Sequence, residues 1–211
     1  MINTKQLFAV LSITAMSFAM PSCSKDTQDF TTDEYEIQTV WSNPNKISKE
    51  DFLSKISGKA WKWVSSNEIK EDGSVDFSRG YYDELLGGGP SDYYFDDNYY
   101  LNYYHDLSMG LGPVFRKSNS EYDDETSTIY WVDNDGKRGE ADFVILKADS
   151  QHLIVKEYMA LKSTGKGDND FNPIYAISVY QKMSSSEYST MKKEYRDFEE
   201  AEKEHNEKYR Q

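Results

Sequence analysis

GKAWKWVS, residues 58–65, is where the chain changes its period. Upstream, ISKEDFLSKISG (47–58) reads as one short helix. Ser48 is an N-cap with Asp51 three residues on, Ile47 and Phe52 occupy the hydrophobic-staple positions, and Gly58 is the stop. From Lys59 the period becomes two. Trp61, Trp63 and Ser65 fall on one face and Ala60, Lys62 and Val64 on the other. Lys62 marks its face as the wetter one, so both tryptophans are expected to point inward.

The same period continues downstream. An EDGS turn (71–74) and a long loop, SRGYYDELLGGGP (78–90), lead to SDYYFDDNYYLNYYHD, read as strands over about 91–96 and 99–105 joined at Asp96–Asn98. In the second of these, Tyr99, Leu101 and Tyr103 alternate against Tyr100, Asn102 and Tyr104. VFRKS reads as a short strand and TSTIYWV as a better one, closing on the hairpin signal Asp135–Gly136. ADFVILKADSQHLIVKEYMAL is a further hairpin turning at Asp149–Gln151, and a polar loop from Lys162 to Asn172 leads into the last strand, PIYAISVYQKM. Seven or eight closely spaced antiparallel strands predict a mainly β domain, a barrel or a sandwich. After it, Ser184 and Glu187 suit a capping box, and Tyr188, Met191, Tyr195 and Phe198 form a stripe at helical spacing. The expectation is a helix over 184–211, packed on the domain, whose last two turns project into solvent.

The other end of the chain is different in kind. MINTKQ carries one positive charge, and LFAVLSITAMSFAM (7–20) is an apolar run of 14 residues, against the roughly 20 that a membrane-spanning helix needs. A short apolar run behind a basic start is the pattern of a secretory signal peptide. Cys23 follows at once and is the only cysteine, which excludes an intrachain disulfide and a cysteine-rich zinc site. Met20, Pro21 and Ser22 before Cys23 resemble a bacterial lipoprotein signal. That resemblance implies removal of 1–22 and acylation of Cys23, with a diacylglyceryl group on sulfur and an acyl chain such as palmitate on the new amino group. It also implies residence in the cell envelope of a Gram-negative bacterium, held at the outer membrane and facing periplasm or surface. Residues 23–46, acidic and without sustained period, are read as a lipidated tether on which Tyr35, Ile37 and Trp41 could dock.

Composition narrows the partners. The formal charge is −13, and loss of the leader removes one lysine, leaving 37 acids against 23 bases. Such a surface repels phosphate backbones, so no nucleic-acid partner is expected. It also disfavours electrostatic adsorption to anionic lipid, leaving the anchor to hold the protein at the membrane.

No catalytic constellation assembles, and the chain is read as a non-enzyme without cofactor. His105, His152 and His205 are scattered, and GGGP (87–90) lacks the Lys-Ser/Thr of a phosphate loop. The acidic clusters at 96–98, 123–125, 133–135 and 168–170 lack calcium-loop spacing, so no metal is assigned; turns alone demand Asp, Asn and Gly. What remains is an aromatic interior. Trp61, Trp63, Tyr93, Phe95, Tyr99 and Tyr103 are expected to share a face that suits a small apolar ligand or a sugar, or simply fills the core.

A short helix, Gly58, a tryptophan-bearing first strand, successive hairpins and a final tyrosine-containing strand resemble the lipocalin-like domains of exported bacterial lipoproteins. GKAWKWVS, YYFDDNYYLNY, FVILKADSQHLIVKEY and YAISVYQKM carry the resemblance. It implies an eight-stranded up-and-down barrel over 47–183 with room for one small apolar or amphiphilic ligand. The alternative is an accessory or inhibitor module with a filled barrel, meeting a protein partner through its terminal helix or its loops at 78–90, 106–113 and 162–172.

Overall fold

The computed structural model describes residues 34–78, 91–105, 113–163 and 171–209. The leader, Cys23 and most of the three loops lie outside the described residues. Eight antiparallel strands form a closed barrel in chain order, with the last paired back onto the first. They are β1 (Lys59–Glu68), β2 (Asp92–Phe95), β3 (Tyr99–His105), β4 (Pro113–Asp123), β5 (Thr128–Val132), β6 (Arg138–Ala148), β7 (His152–Ser163) and β8 (Phe171–Lys182). Closure gives every strand a partner on both sides over at least part of its length, which limits the exposed edge of a chain this rich in strand-forming aromatics.

The two ends of the barrel differ. At one end lie the turns after β2, β4 and β6, and here the helix expected at 47–58 forms a plug. It starts as α2 (Lys49–Asp51), capped by the Ser48 hydroxyl accepting from the Asp51 amide at 3.1 Å, and continues as a π-helical turn, Phe52–Ile56. Phe52 and Ile56 drop into the barrel, and the Phe52 ring stacks on Tyr122 at 4.1 Å. Gly58, at φ +72°, then swings the chain into β1, a conformation that favours glycine over any side chain. We call this the closed end. β1, β3, β5 and β7 finish at the opposite, loop end.

Both outer walls are covered. Residues 34–46, expected as the end of a tether, instead begin with α1 (Glu34–Ser42), which lies against β6, β7 and β8. Ile37 and Val40 are buried against Leu146, Ile154, Ile177 and Val179, the Trp41 indole N–H donates to the Gly73 carbonyl at 2.9 Å, and Lys147 pairs with Glu36. Tyr35 stays exposed. On the other side α3 (Ser185–Tyr209) lies along β2, β3 and β4, and its stripe of Tyr188, Met191, Tyr195 and Phe198 meets Tyr94, Tyr103 and Phe115. The Ser184–Glu187 capping box forms, and residues 199–208 are exposed.

Two strands depart from the alternation expected of them. β4 runs through SNSEYD, where polar residues on both faces hide the strand from a pattern search. In β1 a bulge between Trp63 and Ser65 shifts the register, so Ser66 and not Ser65 follows Trp63 on the inner face.

Candidate functional site

Of the six aromatics expected on one inner face, four are there. Trp61, Tyr93 and Phe95 are buried in the lumen and Trp63 packs against them. Tyr99 and Tyr103 are a correction: they belong to the outer wall under α3. Tyr103 stacks on Phe115 at 4.8 Å and donates its hydroxyl to Glu194 at 2.6 Å, while Tyr99 lines a groove of about 140 Å³ with Tyr94, Tyr188, Met191 and Tyr195. The reason is hairpin register. The Asp96–Asn98 turn sets Phe95 opposite Tyr100 and Tyr93 opposite Asn102, and cross-strand partners share a face. Tyr100 and Asn102 therefore face the lumen.

The lumen has two unlike halves. Towards the closed end it is solid: Trp61, Phe95, Tyr122, Ile129, Ile145 and Leu153 pack on the plug. Towards the loop end, polar groups enter. The Trp63 indole N–H donates to Ser66 Oγ at 2.8 Å, and Ser66 Oγ lies 2.6 Å from Ser178 Oγ. The Ser178 and Tyr180 hydroxyls both bond to the Glu157 carboxyl, Tyr180 at 2.7 Å. Glu157 is 4% exposed, and burial pushes its carboxyl up to about 7 against the two hydroxyl bonds that hold it down. A second acid, Asp142, sits at the bulge between β5 and β6 and accepts the Tyr100 hydroxyl at 2.9 Å. Its carboxyl is also raised, mainly by burial. Asn102 donates to the Tyr93 hydroxyl at 3.2 Å, and its Oδ1 is buried without a hydrogen-bond partner.

Tyr93 ties these groups together. Its ring lies 6.0 Å from Tyr100, 5.0 Å from Phe143 and 5.7 Å from Tyr180. Tyr100 holds Asp142, Tyr180 holds Glu157, and Phe143 is the neighbour of Asp142 and the cross-strand partner of Glu157. The acids escape a reading by residue type because VKEY resembles a solvated hairpin. The available signal was the alternation Leu153, Val155, Glu157, which puts the glutamate on the buried face.

Beside this half the wall opens. β4 pairs with β5 only from Ser120–Trp131 to Asp123–Thr128, so the two strands separate towards the loop end. A cavity of about 350 Å³ lies in that gap, lined by Ser118, Asn119, Trp131, Val132 and the 133–135 turn among others. Trp131 stands opposite Ser120 on the lumen side and is 43% exposed. Its ring lies flat on Gly139, where a Cβ would come within 2.5 Å of the indole.

The acidic turns are occupied by their own backbones. Asp133 Oδ1 accepts from the Asp135 and Lys137 amides, and Asp149 from those of Gln151 and His152. Among the described residues no three His, Cys, Asp or Glu side chains are grouped to hold a metal ion. His152 lies at the closed end beside Asp149 and His205 is exposed on α3, so neither reaches the lumen acids. No protein-family model, curated protein or solved structure matches this chain.

Proposed function

We propose that this chain is an exported lipoprotein, anchored through acylated Cys23 in the outer membrane of a Gram-negative envelope, whose barrel takes a small amphiphilic ligand into the loop-end half of its lumen. The observation that carries the ligand is the contrast within one barrel. A lumen meant only to be filled would keep its apolar packing throughout, because buried acids and an unpartnered amide oxygen cost stability. Rings and hydrogen-bonding groups mixed around Tyr93 suit a molecule with one apolar and one polar part. The opening between β4 and β5, with Trp131 beside it, offers a way in.

Trp63 is the natural reporter, since its indole is hydrogen-bonded into the polar network. Titration with fatty acids, haem-like compounds and sugars should shift tryptophan emission for at least one class, and native mass spectrometry should find a retained small molecule. Silence from every class, with no retained mass, sinks the ligand. The anchor is tested separately: Cys23→Ala should abolish acyl labelling and release the protein from membranes. Persisting label would place the anchor elsewhere.

The second reading, an accessory or inhibitor lipoprotein, draws on α3. Residues 199–208 extend the helix as an exposed, charged arm that adds nothing to the barrel wall. Removal of 199–211 should then cost co-purifying proteins while leaving the fold intact; identical partners with and without the arm rule this reading out.

A further inference from the structure

We infer that the lumen ligand is a protonated amine on an apolar body, its ammonium held where Asn102, Asp142 and Glu157 converge around Tyr93. This rests on the reading of the loop-end lumen as a ligand site and goes on to its chemistry. The argument is a balance of donors and acceptors. The Trp63 indole N–H and the Tyr100 and Tyr180 hydroxyls already donate within the wall. Acceptors are in surplus: Asn102 Oδ1 has no partner, and each carboxyl has more lone pairs than the one or two hydroxyls bonded to it. A ligand that fits this set brings more donors than acceptors. An alkylammonium does so, with three N–H donors on one atom, whereas a carboxylate would add acceptors to acceptors.

Charge and rings agree with that choice. Aromatic faces attract cations, and Tyr93 stands edge-on to both Tyr100, which holds Asp142, and Tyr180, which holds Glu157. Among the described residues of this half, the basic side chain in register with the lumen is Arg116, opposite Asn102. It is exposed, with its guanidinium 5.8 Å from the Tyr104 ring centroid. Arg116 is the group a carboxylate ligand would use, so the two chemistries make opposite predictions.

The test is a matched series on the mature, non-acylated protein: octylamine, octanol and octanoate, followed by tryptophan emission and calorimetry. Octylamine should bind at least tenfold tighter than octanol, with octanoate weakest. Glu157→Gln and Asp142→Asn should each narrow the amine-to-alcohol preference by about tenfold. Far-UV circular dichroism checks that both variants fold. Asp142, the less buried of the two, carries the test alone if Glu157→Gln does not fold. Octanol or octanoate binding as tightly as octylamine overturns the amine and leaves the lumen site standing, as does an amine preference that survives in the folded variants. If none of the three binds, the amine falls, and the lumen reading is decided by its own titrations and by native mass spectrometry.

Discussion

The closed and loop ends of this barrel are built from the same eight strands and the same aromatic residue types, yet they obey different rules. At the closed end Trp61, Phe95, Tyr122, Ile129, Ile145 and Leu153 pack together and the plug of Phe52 and Ile56 completes the packing. At the loop end the same strands place Ser66, Asn102, Asp142, Glu157 and Ser178 inside. A protein gains stability from the first arrangement and loses some to the second. A buried acid beside a complete core marks a candidate site.

The largest way to break that comparison is at the closed end. Trp61 is fully buried, and Trp61→Ala should cost about 4 kcal/mol in denaturant unfolding, from lost burial plus the cavity left behind. A loss below about 1 kcal/mol would mean that the closed end is not the source of stability. Glu157 comes next. Its folded-state pKa is raised to about 7 from an ordinary value of 4.5, so between those values the folded protein binds the extra proton. The contribution of Glu157 to stability is then fully present below about pH 4 and is lost as pH rises through 7, where a charge is forced into the lumen. Glu157→Gln removes that slope. Relative to the parent it should gain up to about 3 kcal/mol at pH 8 and nothing at pH 4. Parallel stability–pH curves for the two proteins would refute the buried carboxyl. The smallest effect is at Asn102. Asn102→Leu removes an orphaned acceptor and adds apolar bulk, so it should raise stability by about 1 kcal/mol while weakening ligand binding. A destabilised variant would show that Oδ1 has a partner in solution.

The strands and their turns were legible from period and turn chemistry. The hairpin signals at 96–98, 135–136 and 149–151 all fall between paired strands, and the Ser184–Glu187 box starts α3. The site was less legible. Alternation puts Trp61, Trp63, Tyr93 and Phe95 inside, where the structure has them, but it puts Tyr99 and Tyr103 there too, and these lie on the outer wall. Residue type gives no sign of Tyr100, Asn102, Asp142 or Glu157 as lumen groups. Residue type misled in both directions: YYLNYY is nearly as aromatic on one face as on the other, and a glutamate between Lys156 and Tyr158 looks solvated.

By itself the sequence determined a mainly β domain of successive hairpins, a barrel or a sandwich, because a period of two with turn residues at short spacing leaves the chain few other ways to bury its apolar area. The pairing of β8 with β1 closes it. The sequence also determined the plug helix and α3, through the Ser48 and Ser184 caps and the 188–198 stripe, but not α1, whose residues read as tether. Only the tertiary structure decided which side of each strand is inside. Period two separates the faces but does not rank them when both are covered, and here α1 and α3 make the outer wall as apolar as the lumen. Register settled the matter residue by residue: one three-residue turn puts Tyr100 inside and Tyr99 outside, and one bulge brings Ser66 to Trp63.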